Sequence, residues 1–212
     1  RLFIHQSSWF NYLLRAILAS LFIGFGVIVA FKTGNFFYAE HSPLAYPMAA
    51  LTFGVAIILI YYGGGDLFTG DTFYYTYAAI RKQMEWRDVG MLWLYSYVGN
   101  LIGAILFALL INATGLFKDP SVNGFLISVA QAKTEVSTYE LFFRGILCNW
   151  LVCLAFFLPY NAKGDGPKMF MMVFLVFCFF ISGYEHSIAN FVTFSISIAT
   201  GHPDAVTMDG II

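Results

Sequence analysis

The stretch Gly63-Gly64-Gly65-Asp66-Leu67-Phe68-Thr69-Gly70 sets four glycines and an acid between two apolar segments, 44–62 and 67–80. Together the segments are too long for one straight membrane crossing of about 20 residues, and the second is too short to cross alone. Glycines release the helical backbone. Within a bilayer the freed N–H and C=O groups find no partner in lipid, so a break at depth must face protein or a watery cavity. Taken alone, the stretch could also be an ordinary surface loop between two helices. A second interruption, Gly183-Tyr184-Glu185-His186-Ser187, again follows an apolar run, 169–182, and again precedes a shorter one, 188–200. Paired breaks in the two halves of a membrane chain point to a transport site.

Composition supports the membrane setting. Of the 212 residues 59% are hydrophobic and only 11% charged, where a soluble domain carries about 25% charged residues. With a formal net charge of -1 and no phosphate-cradling or basic-aromatic motif, no nucleic-acid partner is expected. Cys148, Cys153 and Cys178 lie inside apolar runs and read as small core hydrophobes. Further spans are expected at 12–31, 89–111 and 141–160. Between them lie an interfacial lead-in (1–11), a charged turn (81–88), a long polar stretch (112–139), a Gly/Pro-rich turn (161–168) and a tail loop (201–209). No secretory signal pattern is present. The start without Met and the end at Ile212, where another helix could begin, lead us to expect an internal portion of a longer protein, forming a single transmembrane domain over 1–212. If the N-terminus is cytoplasmic, that side holds seven Lys and Arg (Arg1, Arg15, Arg81, Lys82, Arg87, Lys163, Lys168) against four (Lys32, Lys118, Lys133, Arg144) on the other. This bias favours the N-terminus inside.

Asp66 and Glu185 hold equivalent positions, each just ahead of a short apolar segment. An ionised acid at mid-membrane costs on the order of 2.5–3.5 kcal/mol on insertion scales. A helix N-terminus offsets part of that, so both acids are expected to be structural caps of the broken helices. Thr69 and His186 follow them and are placed to reach the cavity where the half-helices meet. His is the side chain here that exchanges a proton near neutral pH, although a hydrogen-bonded core histidine is the plainer alternative. His186 has too few companions for a metal site, and no Ser, His and Asp set presents itself for catalysis; neither a cofactor nor an enzyme is expected. Asn100 and Asn149 each place an amide in mid-span, where interhelical bonding and pore lining both remain open. Gly99 and Gly103, four apart on one face, allow two helix backbones to approach closely.

Three stretches, Gly65-Asp66-Leu67-Phe68-Thr69-Gly70, Cys148-Asn149-Trp150-Leu151-Val152-Cys153-Leu154-Ala155 and Gly183-Tyr184-Glu185-His186-Ser187-Ile188-Ala189-Asn190, resemble the signature segments of the formate/nitrite transporter family, in order and suitably spaced along the whole chain. The resemblance implies an all-α multi-pass membrane protein with aquaporin-like inverted three-helix repeats and broken second and fifth helices. It also implies a homopentamer with one pore per protomer, and a sixth helix beginning about Asp209. Thr69 resembles the family's loop threonine, His186 its central pore histidine, Lys133 the lysine of the outer vestibule and Asn149 the asparagine beside it. Leu67 and Phe179 correspond to one apolar constriction, Phe53 and Ile57 to the other. Ile57 departs from the commoner Leu and Tyr184 from Phe. The implied function is a cell-membrane channel or transporter for small monovalent weak-acid anions, nitrite or formate, with His186 assisting passage by proton exchange. The short link Gly201-His202-Pro203-Asp204 points to the nitrite-type branch. A neutral-solute pore of the water or glycerol kind is the alternative, although the chain has no Asn-Pro-Ala tripeptide.

Overall fold

The computed structural model describes residues 8–119, 123–202 and 206. Most of the expected lead-in and the expected start of a sixth helix near Asp209 lie outside them. The described residues form helices joined by short turns. Helix α1, Trp9–Tyr38, starts at Ser8, whose Oγ accepts the Asn11 N–H at 3.3 Å. Helix α2 runs from Ala45 to Gly63 and is interrupted at Gly54, between Ala45–Phe53 and Val55–Gly63. After the break comes α3, Phe68–Ile80, and then α4, Trp86–Thr114. Helix α6, Thr138–Phe157, opens with a capping box made by Ser137 and Glu140 and continues as a 3₁₀ turn to Asn161. Helix α7, Asp165–Ile181, ends at the second break, and α8, Ser187–Ala199, follows it. Among the described residues, four helices are long and apolar enough to cross a membrane, Trp9–Tyr38, Ala45–Gly63, Trp86–Thr114 and Thr138–Asn161. The order of long helix, broken helix and long helix over 9–114 is taken up again as long helix and broken helix over 138–199.

Within the stretch 112–139, read from sequence as polar loop, the structure contains a further helix, α5, Gly124–Thr134. Phe125, Leu126, Val129 and Ala130 are buried there at the spacing of one helical face. Three turns are too few to cross a bilayer, but they carry Lys133 to the mouth of the cavity described below.

Both breaks are built on a left-handed glycine. Gly64 has φ 73° and Gly183 φ 71°, a conformation open to Gly at little cost. Gly64 and Gly65 donate to the Ile60 carbonyl, each at 3.1 Å, while Gly183 donates to Phe180 and Tyr184 to Phe179, also at 3.1 Å. The chain thus leaves α2 with the Ile60 carbonyl, and α7 with the Phe179 and Phe180 carbonyls, satisfied.

Helix α1 runs through the middle, packed on α2, α4 and α8. Its approach to α4 depends on Gly99 and Gly103: a Cβ at 103 would overlap the Ile17 carbonyl oxygen, and one at 99 would press on the Ala16 methyl. Facing outward are Phe36, Leu94, Leu110, Phe142, Trp150 and Phe170, all exposed. So broad an apolar exterior suits lipid or neighbouring protein.

At the seam between α1, α4 and the first break, Asn100 joins three chain segments. Its Oδ1 accepts the Phe68 N–H at 2.9 Å, and its Nδ2 donates to the carbonyls of Ala16 at 2.7 Å and Asp66 at 3.1 Å. The Asp66 N–H donates to the Arg15 carbonyl at 3.1 Å. Two outcomes are expected in thermal unfolding in detergent. Gly103→Ala lowers stability by about 1–3 kcal/mol through overpacking, while Gly90→Ala, with open space around the added methyl, does not. Asn100→Ala leaves buried backbone groups unpaired, at about 1–3 kcal/mol each, so its loss exceeds that of Gly103→Ala.

Candidate functional site

The two half-helices point their N-termini at each other through two side chains. Thr69, in the first turn of α3, and His186, the N-cap of α8, approach to 3.2 Å between Oγ1 and Nε2. Both are buried, Thr69 at 5% exposure and His186 at 4%. The Nδ1 of His186 accepts the backbone N–H of Ala189 at 3.1 Å. A backbone amide only donates, so in the neutral ring the proton sits on Nε2 and is given to Thr69 Oγ1. The Thr69 hydroxyl proton then remains for another acceptor.

This arrangement corrects the expected role of the acids, because neither caps its half-helix with its side chain. Asp66 Oδ2 takes the Nε of Arg15 at 2.7 Å, and the Phe68 amide is capped by Asn100. Glu185 Oε2 takes Lys133 Nζ at 2.5 Å and the Nδ2 of Asn190 at 2.9 Å, and the cap of α8 is His186. Each acid sits one residue too early to reach the free amides, since the N-caps are Leu67 and His186. Burial of the two carboxylates is balanced instead by a cation brought from another helix.

Cavities surround the pair. The outer one is lined by Lys133, Tyr46, Tyr184, Asn190 and Thr193 together with Phe53, Phe179 and His186. An inner, apolar one is lined by Ile23, Ile57, Leu67, Val152 and Val176, and again by Phe53, Phe179 and His186. Phe53 and Phe179 meet edge to face at 6.1 Å, and the Phe179 ring lies 5.8 Å from the imidazole. All four apolar residues line the inner cavity, and Phe53 and Phe179 line the outer one as well.

A third cavity brings Thr69, Thr72, Cys148, Asn149, Glu185 and His186 together. Asn149 thus lies near the half-helix junction, in the cavity that Glu185, the partner of Lys133, also lines. Its Nδ2 donates to Thr72 Oγ1 at 3.2 Å, and the asparagine on the Lys133–Glu185 pair is Asn190. Sequence reasoning missed Asn190, Arg15 and Tyr46. Asn190 stands four residues after His186, one helical turn along, and that spacing was its available signal.

The family model described as Formate/nitrite transporter matches residues 4–212. The chain is 63% identical over 207 residues to the Uncharacterized transporter YwcJ of Bacillus subtilis (strain 168), covering 98% of this chain and 81% of that one. It is 36% identical over 198 residues to the Nitrite transporter NirC of Escherichia coli (strain K12), covering 92% and 71%. Among solved structures, an FNT family ion channel superposes with a TM-score of 0.89 at 32% identity, over 98% of this chain and 82% of that one. A pentameric formate channel with formate bound shares the fold, with a TM-score of 0.79 at 24% identity over 96% and 87%. Two paired breaks, a threonine and a histidine joined across them, and a match along nearly the whole sequence place this chain in the formate/nitrite transporter family, with its aquaporin-like inverted repeats and broken second and fifth helices.

Proposed function

We propose that this protein conducts small monovalent anions of weak acids, nitrite or formate, along the line of cavities that meet at His186. The observation that carries the reading is the Thr69–His186 contact at 3.2 Å, set between an outer cavity that holds a cation and an inner one walled by hydrocarbon. Lys133, held in place by Glu185, offers its remaining ammonium N–H donors to an anion in the outer cavity. The pair Phe53 and Phe179 and then Ile57 and Leu67 oppose a bare charge, since an unpaired ion in apolar surroundings is strongly disfavoured. A weak acid passes that region when it carries its own proton, and His186 is the titratable group at the boundary. Adding a second proton to the ring occupies Nδ1 and releases the Ala189 amide, giving up an N-cap worth about 1 kcal/mol. That is small enough for Nδ1 to take up a proton while Nε2 gives its own to the anion, which leaves the remaining proton on Nδ1; the capping state returns when Nδ1 releases that proton and Nε2 is reprotonated. Thr69 keeps Nε2 turned toward the path and offers its own hydroxyl proton to the solute.

The names of the relatives, a nitrite transporter and a formate channel, support this substrate class. The pentameric state named for the formate channel, together with the apolar exterior, supports a homopentamer in the cell membrane with one conduit per protomer. The Lys and Arg distribution supports a cytoplasmic N-terminus.

His186→Asn separates the two duties of the histidine. Asparagine is a good N-cap, so the half-helix keeps its start while the exchangeable ring is lost. In proteoliposomes, nitrite and formate flux in the wild-type protein is expected to change with pH, and in the variant to fall and lose that dependence. An unchanged pH profile in the variant would remove proton exchange from the mechanism.

A further inference from the structure

The outer cavity holds more donors than its cation. Among its polar lining groups, Lys133 is paired with Glu185, the amide of Asn190 donates to the same carboxylate at 2.9 Å, the hydroxyl of Thr193 donates to the Ala189 carbonyl at 2.9 Å, and Nε2 of His186 is turned to Thr69. Two lining residues remain whose side-chain hydroxyls have no hydrogen-bond partner among the described residues, Tyr46 at the start of α2 and Tyr184 in the second break. Their rings are held by packing: Tyr46 lies 5.3 Å from Phe180 and 6.4 Å from Phe125, and Tyr184 packs against the buried core. A tyrosine so held is a rigid apolar body with one polar tip.

We propose that Tyr46 and Tyr184 are specificity-determining residues of this conduit: their phenol hydroxyls donate to a two-oxygen oxyanion in the outer cavity and select it over solutes of similar size that accept hydrogen bonds poorly. This rests on the anion-conduction reading above and adds to it what chooses among anions. The Lys133 charge is already balanced by Glu185 at 2.5 Å, so the cavity attracts through a pair whose net charge is zero and discriminates through directed donors. Nitrite and formate each present two oxygen acceptors that two phenols can serve at once. Hydrosulfide, also the anion of a weak acid, presents one sulfur, a weak acceptor. Polar groups left without a partner oppose a poorly matched solute, so a site with fixed donors selects by what it fails to satisfy.

The test uses the full-length protein in proteoliposomes, with nitrite and hydrosulfide flux measured under one fixed pH gradient for wild type, Tyr46→Phe, Tyr184→Phe and the double variant. Phenylalanine keeps the ring and its packing, and an unchanged gel-filtration profile checks assembly. Each lost hydroxyl is expected to lower the nitrite-to-hydrosulfide flux ratio by about 3- to 10-fold, the effect of one net hydrogen bond, with the larger fall in the double variant. An unchanged ratio in the double variant, or equal falls for both solutes, overturns the role given to the tyrosines while leaving anion conduction standing. Absence of nitrite flux through the wild-type protein overturns both.

Discussion

Hydrocarbon accepts no hydrogen bonds, and a helix broken at membrane depth must find every partner for its exposed ends inside the protein. Much of this molecule is organised by that demand. On the C-terminal side of each break, a left-handed glycine folds the chain back onto its own last turn, at Gly64 and at Gly183. On the N-terminal side of the next half-helix the two breaks differ. The first borrows the side chain of Asn100 from α4, which reaches in because Gly99 and Gly103 let α4 lie directly against α1. The second uses a residue of its own, His186.

That asymmetry gives the second break its chemical interest. Asparagine at 100 is inert and has donors and acceptor committed to backbone. The imidazole at 186 commits only Nδ1 to the backbone, leaving Nε2 and its proton for Thr69 and whatever lies beyond. Closure of the half-helix therefore also fixes the tautomer and direction of the reactive ring. Glu185 and Asp66, immediately upstream, are drawn away from the helix ends by Lys133 and Arg15, so each carboxylate is neutralised by a cation instead of bearing on the caps.

The spans, the two breaks and the residues at their centre were legible in the sequence, because hydropathy and glycine act locally. Thr69 and His186 could be named from their distance to the glycines. What the carboxylates do was not legible: Arg15 lies 51 residues from Asp66 and Lys133 lies 52 from Glu185, and the direction of a side chain depends on which partner the fold delivers. The edge-to-face contact of Phe53 with Phe179 has the same origin, in how α2 packs on α7. Helix α5 was hidden because its four buried residues are flanked by polar sequence that reads as loop. Asn149 bonds Thr72, and Asn190, one turn beyond the histidine, joins the Lys133–Glu185 pair.

The wall shared by the outer and inner cavities is made of Phe53, Phe179 and His186, which come from α2, from the end of α7 and from the start of α8. None of the three is adjacent in sequence to another, and two of them flank the turn at Gly183. A partition assembled this way is a seam between the two halves of the chain. Its three parts sit on separate helices, so no single helix sets the shape of the barrier by itself.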